Sequence, residues 1–353
     1  MPTKALNIPY GTKNPYQNMM YSACGPAFSL AAMNPIDFSV FAEPEFQAEH
    51  GIIHIQWDDR LFPVSSETGN NPNFAKAVDG LNQFKENGGK IIWTIHNRAA
   101  HATPEGSEAF HAMRRKLSEL VHLIHVHTAH ARAHMITNYA TPPEKIRVIP
   151  HPSYLGVYES AATTLARPLS NRDQTRFLTF GTMRGNRELD KLHVAAAKLT
   201  HRGYDFHLSV VGRVFRSGRR MARRLAAIPN VQVIDRRVED DEIPQLFSQA
   251  HAYVLPSTQT FTSGTAMLAQ TYGLPLIAPD IEPHQQTIPD DCRDLLYPAQ
   301  NDRGLIRMMR RVMQMSDLEL NQKRKICFDF AQMRKPVHMS ELLTTALEDL
   351  QNV

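Results

Sequence analysis

No stretch of this 353-residue chain approaches the roughly 20 consecutive apolar residues of a membrane-spanning helix. The opening segment, MPTKALNIPYGTKNPY, has no apolar h-region, so no secretory signal is expected. Cysteine is scarce and odd in number: Cys24, Cys292 and Cys327 are scattered along the chain. That excludes a disulfide framework and a cysteine zinc site, and it points to the reducing cytoplasm. There is no short-period repeat and no low-complexity tract. The only two tryptophans, Trp57 and Trp93, read as core, although Trp57 falls close enough to a strand end to stack on a bound acceptor. Charge of either sign is modest, with 39 Lys and Arg against 35 Asp and Glu. A strong basic stripe with interleaved aromatics is absent, so nucleic acid is not an expected partner.

Such positive charge as there is gathers in Arg213 to Arg224 (RVFRSGRRMARR) and again in Arg307 to Lys325. Each run reads either as a solvated helix face or as a surface for anionic lipid head groups or a phosphorylated substrate. The seventeen histidines read mostly as surface or strand-end residues.

Through about residue 160, apolar runs alternate with helical stretches. Strands are expected over 51–57, 90–95, 123–127 and 146–150, and helices over 74–87, 105–120 and 129–139, the last capped by Thr128. A small, polar segment over 161–175 reads as a linker. A second series follows, with strands over 176–180, 206–211, 231–234 and 252–255 and helices over 188–200 and 239–250; the chain then ends in helices. Strands alternating with helices imply parallel, doubly wound sheets whose ligands sit beyond the carboxyl ends of the strands. Trp57-Asp58-Asp59, His96-Asn97 and His127-Thr128 fall at such ends.

The stretch VLPSTQTFTSGTAMLAQTYGLPLIAP, residues 254–279, carries the most information. An apolar strand leads through a polar loop into Thr262-Ser263-Gly264-Thr265, then into a helix that Gly273 stops and a second strand. A Ser or Thr N-cap ahead of a helix leaves amide N–H groups facing the space above the sheet, where a phosphate binds readily.

Taken with NPYQNMMYSA, HIQWDDRLF, WTIHNRAAH, VIPHPSY, FLTFGTMRGNRELDKL and VVGR, this stretch resembles the GT-B glycosyltransferases. The likeness is greatest to bacterial exopolysaccharide enzymes of the large retaining family and the xanthan-type β-mannosyltransferase. It implies an α/β chain of two doubly wound Rossmann-like domains facing a cleft. Residues 1–160 would bind the acceptor and 176–335 the nucleotide sugar, with a final helix over 336–353 packing back on the first domain. The expected reaction moves a sugar from GDP-mannose or a UDP-sugar to a glycan or lipid-linked acceptor in surface polysaccharide synthesis. An anionic inner-membrane surface is a further expected partner, and neither a metal nor another cofactor is expected.

The resemblance also distributes roles. Arg184 and Arg187 would meet the donor diphosphate, where fixed cations and helix-end amides stabilise the leaving group's growing charge. Thr262, Ser263, Gly264 and Thr265 would take phosphate oxygens, and the backbone of Arg237 and Val238 the nucleobase. Two glutamates that the retaining family places eight positions apart correspond here to Thr260 and Leu268, so retention does not follow. An inverting reaction needs a general base on the acceptor hydroxyl. Asp59 and His96 are the leading candidates, with Asp58 beside them, and Trp57, Asn97 and His101 would position the acceptor. His151 would touch the donor or simply fix the chain's exit from the last strand. The missing glutamates keep a second reading open, a non-catalytic GT-B-like protein that binds a sugar or polymer.

Overall fold

A computed structural model describes residues 2–33, 36–63, 72–98, 107–167, 173–184, 189–301 and 303–352. The chain divides into two units, Met1–Pro152 with Pro336–Val353, and Ser153–Lys335. Among the described residues no helix is long and apolar enough to cross a membrane.

The first unit contains β1 (Thr3–Ile8), β2 (Phe28–Ala32), β3 (Ile52–Ile55), β4 (Lys90–Ile95), β5 (Leu123–Val126) and β6 (Ile146–Val148). They form one parallel sheet in the order β2-β1-β3-β4-β5-β6. β3 and β5 are buried along their whole length, as parallel strands covered on both faces must be. The helix Glu108–Leu120 turns Phe110, Met113, Leu117 and Leu120 inward at helical spacing. Thr128 caps the helix Ala129–Tyr139, its hydroxyl accepting the Ala131 N–H at 3.1 Å. The last helix, Pro336–Gln351, belongs to this unit and buries Met339, Leu343, Ala346 and Leu347. Its Ser340 hydroxyl accepts the Ala23 N–H at 2.8 Å, just beyond the helix Tyr16–Met20.

The second unit contains β7 (Thr175–Phe180), β8 (Phe206–Val211), β9 (Val231–Ile234), β10 (Ala252–Val254), β11 (Leu276–Asp280) and β12 (Leu296–Pro298). These form a second parallel sheet, ordered β12-β11-β10-β7-β8-β9. Counted from its own first strand, that is the 3-2-1-4-5-6 order of a dinucleotide-type sheet. Strand order reverses between β1 and β3 in the first unit and between β7 and β10 in the second. Ligands of open parallel sheets lie beyond the carboxyl ends of strands at such reversals.

Several expectations change. β1 and β2 were not anticipated; β1 opens on Thr3 and Lys4 and carries a polar Asn7 among its apolar residues. Within the supposed linker 161–175, Ala161–Ala166 is a helix of the second unit, capped by Ser160. The helix expected over 239–250 is a 3-10 turn, Asp240–Glu242, followed by the helix Ile243–Ser248 with Pro244 in its first turn. The second basic run is no plain solvated face. Lys323 is buried and donates to Asp291 O at 2.9 Å and Asp294 Oδ1 at 2.6 Å, and the buried Arg324 reaches Ala250 O. Histidines are also more internal than expected: His54 and His125 stand mid-strand and fully buried.

Candidate functional site

At the reversal in the first unit, the backbone leaves β3 through Gln56 and Trp57 into the short helix Asp58–Leu61. Trp57 is only 6% exposed, and its ring stacks on the His96 imidazole with centroids 4.8 Å apart and planes 19° apart. The Arg60 guanidinium lies 5.1 Å from the Trp57 ring centre. Trp57 therefore supports His96, and the acceptor-stacking role expected for it is not what its packing favours. Tyr16 meets the His96 ring edge-on at 4.8 Å.

Asp58 is fully buried and committed. Its carboxylate takes two N–H bonds from Arg114, at 2.9 and 3.3 Å, and neither side chain reaches solvent. Arg114 also donates to the carbonyls of Asn97 at 2.8 Å and Arg98 at 3.0 Å. Its guanidinium lies over the Phe110 ring at 4.4 Å. Burial holds the Asp58 carboxyl above its usual range, and the two-point pairing with the Arg114 guanidinium opposes that shift. Asp58 thus ties the loop after β3 to the loop after β4, a positioning role that displaces the proton-transfer role expected for it. Asp59 differs: it is half-buried, and nothing among the described residues bonds its buried Oδ1. Asn97 is half-buried, its carbonyl already used by Arg114. His101 lies outside the described residues.

His96 is buried, and desolvation, helped by His151, His125, His54 and Arg60, holds its pKa well below the usual imidazole value. It is neutral at physiological pH. Its Nε2 is 2.9 Å from Gln56 Oε1. Around it, other histidines form chains whose proton directions follow from their carbonyl ends. Ile149 O can only accept, so it takes Nε2–H of His125 at 2.9 Å and Nδ1–H of His127 at 3.0 Å. His125 Nδ1 must then accept from Thr94 Oγ1 at 3.0 Å, and Thr94 in turn from His54 Nε2 at 2.7 Å. His54 Nδ1 accepts the Tyr21 hydroxyl proton at 2.7 Å, and His127 Nε2 that of Tyr16 at 3.1 Å. His151 Nδ1–H donates to Pro152 O at 2.8 Å. Burial lowers His54 to about 3 and His125 and His151 to about 4, so these rings stay uncharged. Among the described residues no group of three His, Cys, Asp or Glu is arranged to hold a metal ion.

At the reversal in the second unit, β7 and β8 end on glycines that pass close together. Gly212 has φ +142°, and a Cβ there would collide with the Gly181 carbonyl, meeting its carbon at 2.7 Å. The loops that follow stay zipped: Met183 N–H donates to Arg213 O at 2.9 Å and Phe215 N–H to Met183 O at 3.0 Å. Arg184 emerges from this pair with its guanidinium 4.7 Å from the Phe215 ring centre. It helps line a cavity of about 300 Å³ with Asp190, Ser217, Gly218, Arg220 and Arg224. Arg187 lies outside the described residues.

Across the reversal, β10 leads into the helix Gly264–Thr271. Ser263 is its N-cap, accepting the Ala266 N–H at 3.2 Å and bonding the Thr265 hydroxyl at 3.1 Å. The amides of Gly264 and Thr265 come before the first intrahelical bonds and face outward from the helix end. Thr262 Oγ1 is buried, with no partner among the described residues, and Thr260 donates to Thr262 O at 2.8 Å. Leu268, on the same helix, is 3% exposed and packs in the core with Val238 and Phe247. Val238 contributes its side chain to that core, while Arg237 is exposed and its carbonyl accepts from Arg236 at 3.1 Å. Arg184 and the Ser263-capped helix end therefore stand at one strand reversal, after β7 and β10.

Similarity to known proteins follows the same layout. A solved glycosyltransferase from Rickettsia africae is 14% identical with a TM-score of 0.72, covering 100% of this chain and 98% of that one. Alr3699/HepE of Anabaena, solved with UDP-glucose, is 11% identical with a TM-score of 0.72, covering 99% and 100%. The fold is GT-B. Sucrose-phosphate synthase from Thermosynechococcus elongatus shares this GT-B architecture at 15% identity and a TM-score of 0.72, covering 99% of each chain. Residues 174–315, from the start of β7 to just past the helix Gly304–Gln314, match the family model described as Glycosyl transferases group 1. No curated protein matches the chain.

Sequence reasoning missed four residues in this GT-B chain: Asn7, Gln56, Tyr16 and Arg114. Gln56 was the only one with a local signal, a polar residue between a buried strand and the Trp-Asp-Asp turn. The other three act through partners far along the chain, such as Arg114 on Asp58.

Proposed function

We propose that this protein is a glycosyltransferase that moves a sugar from a nucleoside-diphosphate sugar to a glycan or lipid-linked acceptor. The observation that carries the reading is the pairing of Arg184 with the Ser263-capped helix end at the second unit's strand reversal. A cation and outward amides are what a departing diphosphate needs, since negative charge grows there as the glycosidic bond breaks. This pairing lies inside the segment that matches the glycosyltransferase family model. In this reading Arg184 holds the diphosphate with Arg187, Thr262 to Thr265 complete its cradle, and Arg237 and Val238 border the base. In the first unit His96, neutral and therefore able to take a proton, is the general base for an inverting transfer. Asp59, whose Oδ1 has no partner among the described residues, orients acceptor hydroxyls together with Asn97 and His101. The donor is GDP-mannose or a UDP-sugar, and the product belongs to a surface polysaccharide. Exposed arginines from Arg213 to Arg224, beside the exposed Phe215, suit contact with an anionic inner-membrane surface.

One observation favours a second reading. The two positions that related retaining enzymes give to glutamates, one near the sugar and one on the ribose, correspond here to Thr260 and the core residue Leu268, neither of them a carboxylate. A protein that binds a sugar or polymer without catalysis would tolerate that loss. A thermal-shift screen of the folded protein against UDP, GDP, ADP, CMP and dTDP separates the two. A nucleotide at about 100 times its dissociation constant adds about 2.7 kcal/mol, a shift of several degrees. Stabilisation by one nucleotide is the expected result and identifies the donor class. No shift with any of the five would abandon the transferase reading for the binding protein.

A further inference from the structure

Three buried amide side chains, Asn7, Gln17 and Gln56, lie under the His96 site, each 0% exposed. Buried polar groups that are fully paired hold one arrangement, because every alternative leaves a donor or acceptor unmet. Here the arrangement can be read outward from the backbone. Ala5 O only accepts, so Asn7 turns its NH2 toward it, at 3.1 Å, and its Oδ1 away. Gln56 Nε2 donates to that Oδ1 at 2.7 Å, and Gln17 Nε2 approaches it at 3.4 Å. Gln17 is itself fixed between two backbone groups, donating to Pro9 O at 3.1 Å and accepting the Gly11 N–H at 2.7 Å. Gln56 therefore has only its Oε1 left for His96 Nε2, 2.9 Å away. An amide oxygen only accepts, so that nitrogen carries the proton.

We infer that Gln56 is a positioning residue that locks His96 as the Nε2–H tautomer, leaving Nδ1 as the ring's proton-accepting nitrogen. Among the described residues Gln56 is the ring's hydrogen-bond partner, while Trp57 stacks on it, Tyr16 meets it edge-on with its hydroxyl on His127, and His151 Nδ1 bonds Pro152 O. The charged and titratable groups around it are Arg60 after β3, His54 on β3, His125 on β5, His127 after β5 and His151 after β6. None of these supplies a carboxylate to His96. The imidazole is thus oriented by a neutral acceptor, which fixes the tautomer without raising the ring's basicity as a carboxylate would. The catalytic meaning of this lock rests on the reading of His96 as the base, whereas the tautomer does not.

Two measurements separate these parts. In the full-length protein with 15N-labelled histidine, ring correlations assigned by comparison with His96→Phe report the tautomer directly. A protonated Nε2 and a bare Nδ1 are expected, with the Nε2–H protected from exchange in the native protein and exposed to it in Gln56→Leu. A native ring protonated at Nδ1 would overturn the lock, as would an Nε2–H equally protected in Gln56→Leu. The kinetic arm uses the nucleotide sugar that gives turnover. Gln56→Leu should lose roughly tenfold or more in kcat at nearly unchanged nucleotide affinity, up to the 10²–10⁴-fold expected for removing a base outright. Gln56→Glu gives up the bond to Asn7 Oδ1 but still accepts the His96 proton and adds a charge, so it should restore part of the kcat that Gln56→Leu loses. It should also move the acidic limb of the kcat profile to higher pH by about a unit or more. Native kcat and pH profile in both variants would overturn the catalytic role. Absence of turnover with every donor would instead count against the transferase reading and leave the tautomer result standing.

Discussion

Asp58→Ala should cost the first unit more than any exposed charge change could. Arg114 is 0% exposed, and besides Asp58 it meets two carbonyls, Asn97 O and Arg98 O, the Tyr139 hydroxyl, and the rings of Phe110 and Trp93. Without the carboxylate a full positive charge stays buried with only partial dipoles around it. Breaking a buried pair from one side typically costs about 3–5 kcal/mol, against about 0–1 kcal/mol for an exposed pair. Arg114→Met in the same chain removes the stranded charge and refills most of the volume, so the double variant should regain part of the loss. The assay is unusually local. Both tryptophans, Trp57 and Trp93, lie in the first unit, so fluorescence excited selectively at tryptophan reports on that unit during urea unfolding. Trp57 is adjacent to Asp58, and Trp93 is 5.8 Å from the Arg114 guanidinium. The expected result is a loss of about 3–5 kcal/mol for Asp58→Ala and a coupling between the two sites of about 1 kcal/mol or more. A loss under about 1 kcal/mol, or strictly additive variants, would refute the buried-pair argument.

Acid should destabilise the first unit well above the range where carboxylates protonate. His54, held to about 3, and His125 and His151, held to about 4, stay neutral in the fold while the unfolded chain binds protons below about 6.5. Their contribution is complete above pH 6.5 and is lost as pH falls toward 4, by about 1.4 kcal/mol per pH unit for each ring. Urea midpoints by tryptophan fluorescence at pH 7, 6 and 5 should fall in step; equal midpoints would show that these rings titrate normally. Gly212→Ala should destabilise the second unit by about 1–3 kcal/mol, since the new Cβ meets the Gly181 carbonyl at a φ that L-residues rarely adopt. Calorimetry that finds this variant as stable as the native chain would mean that β7 and β8 separate easily at their ends. Arg184→Ala should weaken binding of whichever nucleotide stabilises the protein by roughly 10- to 100-fold, the worth of one or two charge-assisted bonds. Titration calorimetry that finds native affinity would remove Arg184 from the diphosphate.

The fold was legible because parallel strands buried on both faces advertise themselves. IIHI and KIIWTI stand out as apolar runs, and Thr128 and Ser263 mark helix starts by bonds that the structure contains. β1 was hidden by Asn7, a polar residue whose partners, Gln56 and Gln17, lie 49 and 10 positions away. The second-unit cluster was easier to read than the first. Its Ser263 cap and the helix behind it are neighbours in sequence, and Arg184 follows a glycine turn. In the first unit the meaning of Asp58 depends on Arg114, 56 positions on, and that of His96 on Gln56, 40 positions back. A carboxylate beside a tryptophan reads as chemistry until the cation that neutralises it is known.

The return of the chain to its first unit orders events during translation. The helix Pro336–Gln351 supplies Ser340 to the Ala23 amide, and this contact closes a segment 317 residues after it was made. On the ribosome, the early residues must wait while the whole of Ser153–Lys335 is synthesised and given the chance to fold as an inserted module. The Tyr16–Met20 helix, which carries the tyrosine against His96, is thus completed last. Proteolysis of stalled nascent chains would find the second unit protected while the N-terminal residues remain open to cleavage. A fragment ending at residue 335 would keep the second unit whole and leave the histidine-bearing first unit without its closing helix.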